Sequence, residues 1–128
     1  MKESYLVDTD VVIDFLRGYH SAIDLFREFA ESISFSTITV AEIFCGIKNE
    51  QESMEVERLF DIFPVKEPSL EIAKKAGKFV QQYRASHSLQ IPDAIIAATC
   101  IQNNSQLITL NVKHYPMFKN LKAPYTKK

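Results

Sequence analysis

The sequence has little of several residue types that define specialised protein classes. It contains two cysteines, three histidines, three glycines and no tryptophan in 128 residues. Two cysteines cannot build the disulfide framework of a small secreted domain, and three scattered histidines match no zinc motif. We therefore expect Cys45 and Cys100, which lie in apolar helical patterns, to be buried reduced thiols.

The sequence also lacks an excess of one charge sign and any long apolar run. Fifteen Lys and Arg face sixteen Asp and Glu, which leaves a net charge of -1. A nucleic-acid partner would therefore have to be held by a local basic patch. Because no apolar run approaches the roughly 20 residues that span a bilayer, and no signal core precedes Asp8, we expect a soluble, cytoplasmic protein without a membrane partner.

Apolar periodicity predicts strands that alternate with helices along one domain, residues 1–128. Strands are predicted near 4–7, 33–35, 62–65 and 106–109, with a last short strand near Leu121. Helices are predicted near 11–17, 21–31, 40–47, 51–61, 69–87 and 92–103. Such alternation indicates an α/β fold in which right-handed crossovers build a parallel sheet with helices on both faces.

Carboxylates stand where predicted strands meet helices. Asp8 ends the first strand, whereas Glu42 and Asp93 open helices that point the same way. Because ligands of such folds bind beyond the carboxyl ends of the strands, these acids are expected to converge. Oxygen ligands without cysteine or histidine suit Mg²⁺ or Mn²⁺, so the pattern predicts a metal site that handles phosphate.

Each acid also has a purely structural explanation. Asp10 and Asp93 lie in first helical turns, where the helix dipole favours a negative side chain by roughly 0.3 to 1 kcal/mol. Thr39 and Glu42 have the spacing of a capping box, which predicts a helix that starts at Val40. A capping role explains any one of these acids, but the placement of several acids at strand-to-helix junctions favours a metal site.

Four segments resemble the PIN-domain family in order and spacing, with the closest likeness to VapC-type toxins. The segments are Leu6-Val7-Asp8-Thr9-Asp10-Val11-Val12-Ile13, Ile38-Thr39-Val40-Ala41-Glu42-Ile43-Phe44-Cys45-Gly46, Asp93-Ala94-Ile95-Ile96-Ala97-Ala98-Thr99 and Thr109-Leu110-Asn111-Val112-Lys113-His114-Tyr115. The resemblance covers essentially the whole chain. It implies a three-layer α/β/α sandwich with a central parallel sheet of four or five strands, and a single nuclease domain.

The resemblance further implies a Mg²⁺-dependent endoribonuclease, the toxin of a toxin-antitoxin system, with Mn²⁺ as a possible substitute. Asp8, Glu42 and Asp93 match the three acidic metal positions of the family. Asn111 falls where many relatives carry a fourth acid, and its carbonyl would orient a metal-bound water. Partners implied by the resemblance are RNA, a cognate antitoxin and a second copy of the chain.

Supporting residues follow from the same motifs. Asp10 stands where asparagine is commoner in the family, and its extra charge would either strengthen metal binding or raise repulsion. Thr9 and Thr109 resemble family positions whose hydroxyls support the acids, although both also fit ordinary caps at strand ends.

Candidate RNA contacts come from basic residues near the chain end and near the end of the long helix. Residues 113–128 carry five lysines, one histidine, two tyrosines and no acid, which is typical either of a backbone-binding patch or of a solvated tail. Arg84, Lys113 and His114 are the individual candidates.

Two other functions fit parts of the sequence. In a haloacid-dehalogenase-like phosphatase, Asp8 would attack phosphorus and Asp10 would act as acid and base, but the late Gly-Asp-rich metal loop of that family is missing. Alternatively, the fold is a catalytically silent binding module, against which the retained Asp8, Glu42 and Asp93 argue.

Overall fold

The central sheet is parallel and has four strands in the order β3-β2-β1-β4. The computed structural model describes residues 3–127. The strands are β1 (Tyr5–Val7), β2 (Ile33–Ser36), β3 (Val65–Lys66) and β4 (Gln106–Ile108). In the pair β1 and β4, Leu6 stands opposite Leu107 and Val7 opposite Ile108. Four parallel strands agree with the expected four or five.

Helices cover both faces of this sheet. They are α1 (Thr9–Leu16), α2 (His20–Glu28), α3 (Thr37–Cys45), α4 (Glu50–Ile62), α5 (Leu70–His87) and α6 (Ile91–Gln102). Alternate strand residues point to opposite faces, so Val7 packs in a cluster with α1, α2 and α4, whereas Leu6 packs in a cluster with α6. The predicted three-layer α/β/α arrangement is confirmed.

Several helix ends lie where residue chemistry predicts them. The Ser69 hydroxyl accepts a hydrogen bond from the Ile72 N–H, which caps α5. Gly18, at φ 79°, follows the end of α1, and Asn104, at φ 51°, follows the end of α6. Both residue types tolerate this left-handed backbone, so the predicted stop signals are confirmed.

Some local predictions are wrong. Helix α3 begins at Thr37, because Ser36 accepts a hydrogen bond from the Ile38 N–H and thereby caps it; the predicted capping box of Thr39 and Glu42 does not form. Thr39 is fully buried in a tertiary contact instead. No strand forms near Leu121.

The third predicted strand and one cysteine also differ from expectation. Ile62 belongs to α4, so β3 starts only at Val65, after Pro64. Cys100 is buried as expected, but Cys45 is exposed, because it lies on the outward side of α3 in its last turn.

Within residues 3–127, no helix is both long and apolar enough to cross a membrane.

The C-terminal segment folds back onto α1. The buried Asp14 accepts a hydrogen bond of 2.7 Å from the Tyr125 hydroxyl and pairs with the Lys127 ammonium at 2.6 Å. The Lys127 ammonium also lies 5.4 Å from the centre of the Tyr19 ring. The charge of Lys127 is therefore paired with Asp14 within the chain. Lys127 does not belong to the predicted solvated or RNA-binding tail.

Candidate metal centre at the carboxyl edge of the sheet

Asp8 lies directly after β1 and caps α1. Its Oδ1 accepts a hydrogen bond of 2.8 Å from the Thr9 N–H, the first N–H of the helix. Its Oδ2 accepts hydrogen bonds of 2.8 Å from the hydroxyls of Thr109 and Tyr115. With 6% of its surface exposed, Asp8 is a buried carboxylate fixed by three donors from three parts of the chain.

Glu42 approaches Asp8 through Thr9. The Thr9 hydroxyl lies 2.6 Å from Glu42 Oε1 and 3.0 Å from the Thr39 hydroxyl. Because a hydroxyl has one proton, we assign the Thr9 proton to the carboxylate and the Thr39 proton to Thr9. Thr9, which also donates its N–H to Asp8, therefore links α1 with the second turn of α3.

Asp93 lies in the first turn of α6, where the helix dipole favours its charge. The Tyr115 hydroxyl lies 3.4 Å from Asp93 Oδ1 and 2.8 Å from Asp8 Oδ2, so one phenol stands between the two acids. Partial burial raises the pKa of Asp93, and the negative charges of Asp8 and Glu42 raise it further. The charge of His114 and the Tyr115 hydrogen bond act in the opposite direction.

Asp10 belongs to the same network from the first turn of α1. It accepts hydrogen bonds of 2.8 Å from the Val11 N–H and 3.0 Å from the Leu110 N–H, and its Oδ2 lies 3.4 Å from the Thr109 hydroxyl. Burial and the charge of Asp8 nevertheless raise the pKa of Asp10 to about 6. Asp10 therefore connects α1 to the segment after β4.

The donor set fits a hard divalent cation. Asp8, Glu42 and Asp93 offer only carboxylate oxygens, and none of the ion pairs found among residues 3–127 involves them. The raised pKa values of Asp10 and Asp93 reflect in part an uncompensated concentration of negative charge. In the same described range, however, no three acidic, histidine or cysteine side chains already converge as a ligand shell. The acids are neighbours linked by hydroxyl groups. Their side chains would have to rotate to bring three carboxylates around one cation.

The remaining predicted site residues lie at varied distances from this centre. Asn111 follows β4, donates its N–H to the Thr109 hydroxyl at 3.0 Å, and exposes its side chain. Lys113 and His114 lie in the 3₁₀ turn Val112–His114, next to the site in the chain. Arg84 is exposed in the last turn of α5, and none of the hydrogen bonds or ion pairs found among residues 3–127 joins it to the acids.

Tyr115 was not predicted as a site residue, and Thr39 was predicted to form a capping box that is absent. Tyr115 is 1% exposed, and a buried tyrosine needs a partner for its hydroxyl. Its place directly after the Asn-Val-Lys-His segment was the available signal, because that segment follows the strand end that carries Thr109. Thr39 gave no such signal, since its contact with Thr9 depends on how α1 packs against α3.

Comparisons with known proteins agree over nearly the full chain. The model of the PIN domain family matches residues 5–117. Ribonuclease VapC10 of Mycobacterium tuberculosis is 39% identical, with 94% of this chain and 92% of the relative covered. Ribonuclease VapC19 of the same organism is 35% identical, with 94% and 98% covered. A chain of a toxin-antitoxin complex from Klebsiella pneumoniae superposes with a TM-score of 0.82 at 28% identity, with 95% and 98% covered.

Proposed function

This chain belongs to the PIN-domain family, and we propose that it is the endoribonuclease toxin of a toxin-antitoxin system, acting as a single domain in the cytoplasm. The observation that carries the proposal is the hydrogen-bonded group of Asp8, Asp93 and Tyr115 at the carboxyl edge of the sheet. Residues 85 positions apart in the sequence meet there through one hydroxyl. Relatives that cover nearly the whole chain are named ribonucleases, which supports the same reading.

Members of this family generally depend on a divalent metal, and we assign that role here to Mg²⁺, with Mn²⁺ as a substitute. Asp8, Glu42 and Asp93 would hold the ion. When bound, the cation makes a water more acidic and neutralises charge on the phosphate that is cleaved. Because carboxylate oxygens are the ligands that Mg²⁺ prefers, the donor chemistry supports this assignment.

The protein's own groups orient the acids for this chemistry. Thr109 fixes the Oδ2 atom of Asp8, and Thr9 fixes Glu42. Asp10 ties α1 to the backbone of Leu110, so the strand ends that carry the acids keep their spacing. The exposed side chain of Asn111 is free of protein hydrogen bonds among residues 3–127, which leaves its amide oxygen available to orient a water.

The same edge offers local positive charge for RNA. Lys113 is exposed in the 3₁₀ turn that follows Asn111, and His114 is close enough to Asp93 for its charge to lower the pKa of that carboxyl. We propose that both contact the phosphate backbone, whose binding depends on such local charge when the net charge is near zero. Arg84, at the end of α5, remains a weaker candidate.

An antitoxin would bind the apolar surface that α1 forms with α2 and α4. A groove of 550 Å³ between α1, α2 and α4 is lined mainly by apolar side chains, including Phe15, Leu16, Leu59 and Ile62. Ile62, in the lining of this groove, is 65% exposed, so the groove presents an apolar side chain that the monomer leaves open to solvent. We propose that an antitoxin segment occupies this groove and extends a basic side chain towards Glu42, which lines the adjoining groove of 380 Å³. A homodimer of the toxin is proposed from family likeness.

The phosphatase alternative finds no support in the contacts of Asp10. That alternative requires Asp10 to exchange a proton with the substrate as acid and base. Asp10, the required acid and base, points its oxygens at backbone N–H groups. Because the chain belongs to the PIN-domain family, we do not retain the phosphatase alternative.

The proposal is tested by assaying purified protein on single-stranded and structured RNA, in Mg²⁺ and in EDTA. Cleavage by the wild type in Mg²⁺, its loss in EDTA and its loss in Asp8→Asn are expected. Asp61→Asn is the matched control, because Asp61 is exposed near the end of α4 that leads into β3, at the opposite edge of the sheet. Equal cleavage by wild type and Asp8→Asn would refute the mechanism, and no cleavage by wild type would indicate a silent binding module.

A further inference from the structure

Tyr115 is a buried side chain whose polar atom faces only acids. The ring packs with Leu6, Ile96 and Leu107 in the cluster under α6, and 1% of the residue is exposed. Its hydroxyl lies 2.8 Å from Asp8 Oδ2 and 3.4 Å from Asp93 Oδ1. A phenylalanine would fill the same apolar space, so packing alone does not explain the hydroxyl.

The donors around Asp8 show what the hydroxyl does. A carboxylate oxygen has about two lone-pair sites, and Oδ2 of Asp8 accepts from both Thr109 and Tyr115, whereas Oδ1 accepts only from the Thr9 N–H. Oδ2 is therefore saturated by protein donors, and Oδ1 keeps one free site. The Tyr115 hydroxyl thus helps to determine which oxygen of Asp8 remains available to a ligand.

The same hydroxyl joins two separate elements. Asp8 stands between β1 and α1, and Asp93 stands in α6, so the two carboxylates are carried by different layers of the fold. Both are negative and close enough for the charge of Asp8 to raise the pKa of Asp93. The single hydroxyl proton of Tyr115 is donated mainly to Asp8, the nearer acceptor, and its partial positive charge between the two carboxylates offsets their repulsion without adding a full charge.

We propose that Tyr115 is a positioning residue of the metal centre, whose hydroxyl orients Asp8 and holds Asp93 beside it for a divalent cation. This inference rests on the proposed function. The bond to Asp8 is the shorter contact and fixes the carboxylate plane, while the longer contact restrains Asp93. Removing the hydroxyl frees one site on Oδ2, lets the Asp8 side chain rotate, and leaves the two acids to repel each other.

The first test measures Mn²⁺ binding by calorimetry without RNA, in wild type, Tyr115→Phe and Tyr125→Phe. Tyr125→Phe is the matched control, since it removes a phenol hydrogen bond of 2.7 Å to the buried carboxylate of Asp14, which no hydrogen bond among residues 3–127 joins to Asp8, Glu42 or Asp93. We expect Tyr115→Phe to weaken Mn²⁺ binding by roughly tenfold or more, as loss of a group that orients a metal ligand does, and Tyr125→Phe to leave it unchanged. Equal Mn²⁺ affinity in wild type and Tyr115→Phe would overturn the inference.

A double-mutant cycle tests the link to Asp93 separately. In EDTA, Asp93→Asn should stabilise the Tyr115→Phe protein more than it stabilises wild type, by roughly threefold or more in the unfolding equilibrium constant. Additive effects would overturn the bridging role. Wild-type protein supplies a measurement that needs no variant: the Tyr115 hydroxyl proton should be protected from exchange in NMR spectra and should shift when Mg²⁺ is added, and free exchange would overturn the inference.

These measurements separate the inference from the proposed function. The proposed function fails if wild type cleaves no RNA in Mg²⁺, a result that leaves the Mn²⁺ affinities of the variants unaffected. The inference fails if those affinities do not depend on the Tyr115 hydroxyl, even where wild type is an active nuclease. A wild type that takes up no Mn²⁺ overturns the metal centre and the inference together.

Discussion

Asp10 makes the stability of the protein depend on pH in a direction opposite to that of most paired carboxylates. Its pKa is about 6 in the folded chain against an ordinary 3.8, because burial and the charge of Asp8 disfavour its ionised form. Between about pH 4 and pH 6 the folded chain therefore binds more protons at Asp10 than the unfolded chain. The stabilisation is complete below the unfolded pKa and is lost as the pH rises through 6.

The magnitude follows from the shift. About two pKa units correspond to roughly 3 kcal/mol, and solvent screening of the partly exposed side chain reduces this to about 1 to 2 kcal/mol. Asp10→Asn removes the titration. It also leaves either the Leu110 N–H or the Val11 N–H without its acceptor, because an amide has one accepting oxygen where the carboxylate uses two. That loss changes the stability of the variant by an amount that does not depend on pH.

The assay is urea unfolding in EDTA at pH 4.5 and pH 7.5, for wild type, Asp10→Asn and the exposed control Asp61→Asn. Because pH 4.5 already lies above the unfolded pKa of 3.8, this interval captures about two thirds of the full effect, so raising the pH should lower the free energy of unfolding of wild type relative to Asp10→Asn by about 1 kcal/mol. The control should follow wild type. A difference between wild type and Asp10→Asn that stays constant with pH, or that grows in favour of wild type as the pH rises, would refute the reasoning.

Three further predictions concern groups around the site and the chain end. Asp93→Asn should abolish cleavage while raising the melting temperature in EDTA, because one of several repelling charges is removed; a lower melting temperature would show that its place in the first turn of α6 matters more. Thr109→Val should lower the free energy of unfolding by about 1 to 2 kcal/mol in urea titrations, since Asp8 loses a donor and Asn111 an acceptor. Lys127→Met should cost about 1 to 2 kcal/mol in the same titration, because it leaves the buried Asp14 with one partner while the lysine itself is half exposed; an unchanged urea midpoint would contradict the pairing.

Much of the fold was predictable because local chemistry and apolar period agree. Ser69 caps α5, Gly18 stops α1, and the strands at Tyr5, Ile33 and Gln106 lie within predicted apolar runs. The start of helix α3 was predicted wrongly because both Ser36 and Thr39 have the chemistry of a capping residue. Ser36 caps the helix, whereas the Thr39 hydroxyl makes a buried contact with Thr9 that forms only when α1 packs against α3.

The site was predictable in outline, but its connections were not. The rule that parallel strands present their carboxyl ends at one edge brings Asp8 and Thr109 together. Sequence spacing cannot show that Tyr115 stands between Asp8 and Asp93, because that contact depends on how the turn after β4 packs under α6. For the same reason, Lys127 looked like a solvated charge although it pairs with Asp14 on α1.

We propose that acids distant in sequence form one metal site. The most direct measurement is anomalous diffraction from crystals of the wild type and of Asp8→Asn soaked in Mn²⁺. We predict a single strong peak in wild type bounded by Asp8, Glu42 and Asp93, and its loss in Asp8→Asn. A peak elsewhere, no peak in wild type, or the same peak in both proteins would contradict the account.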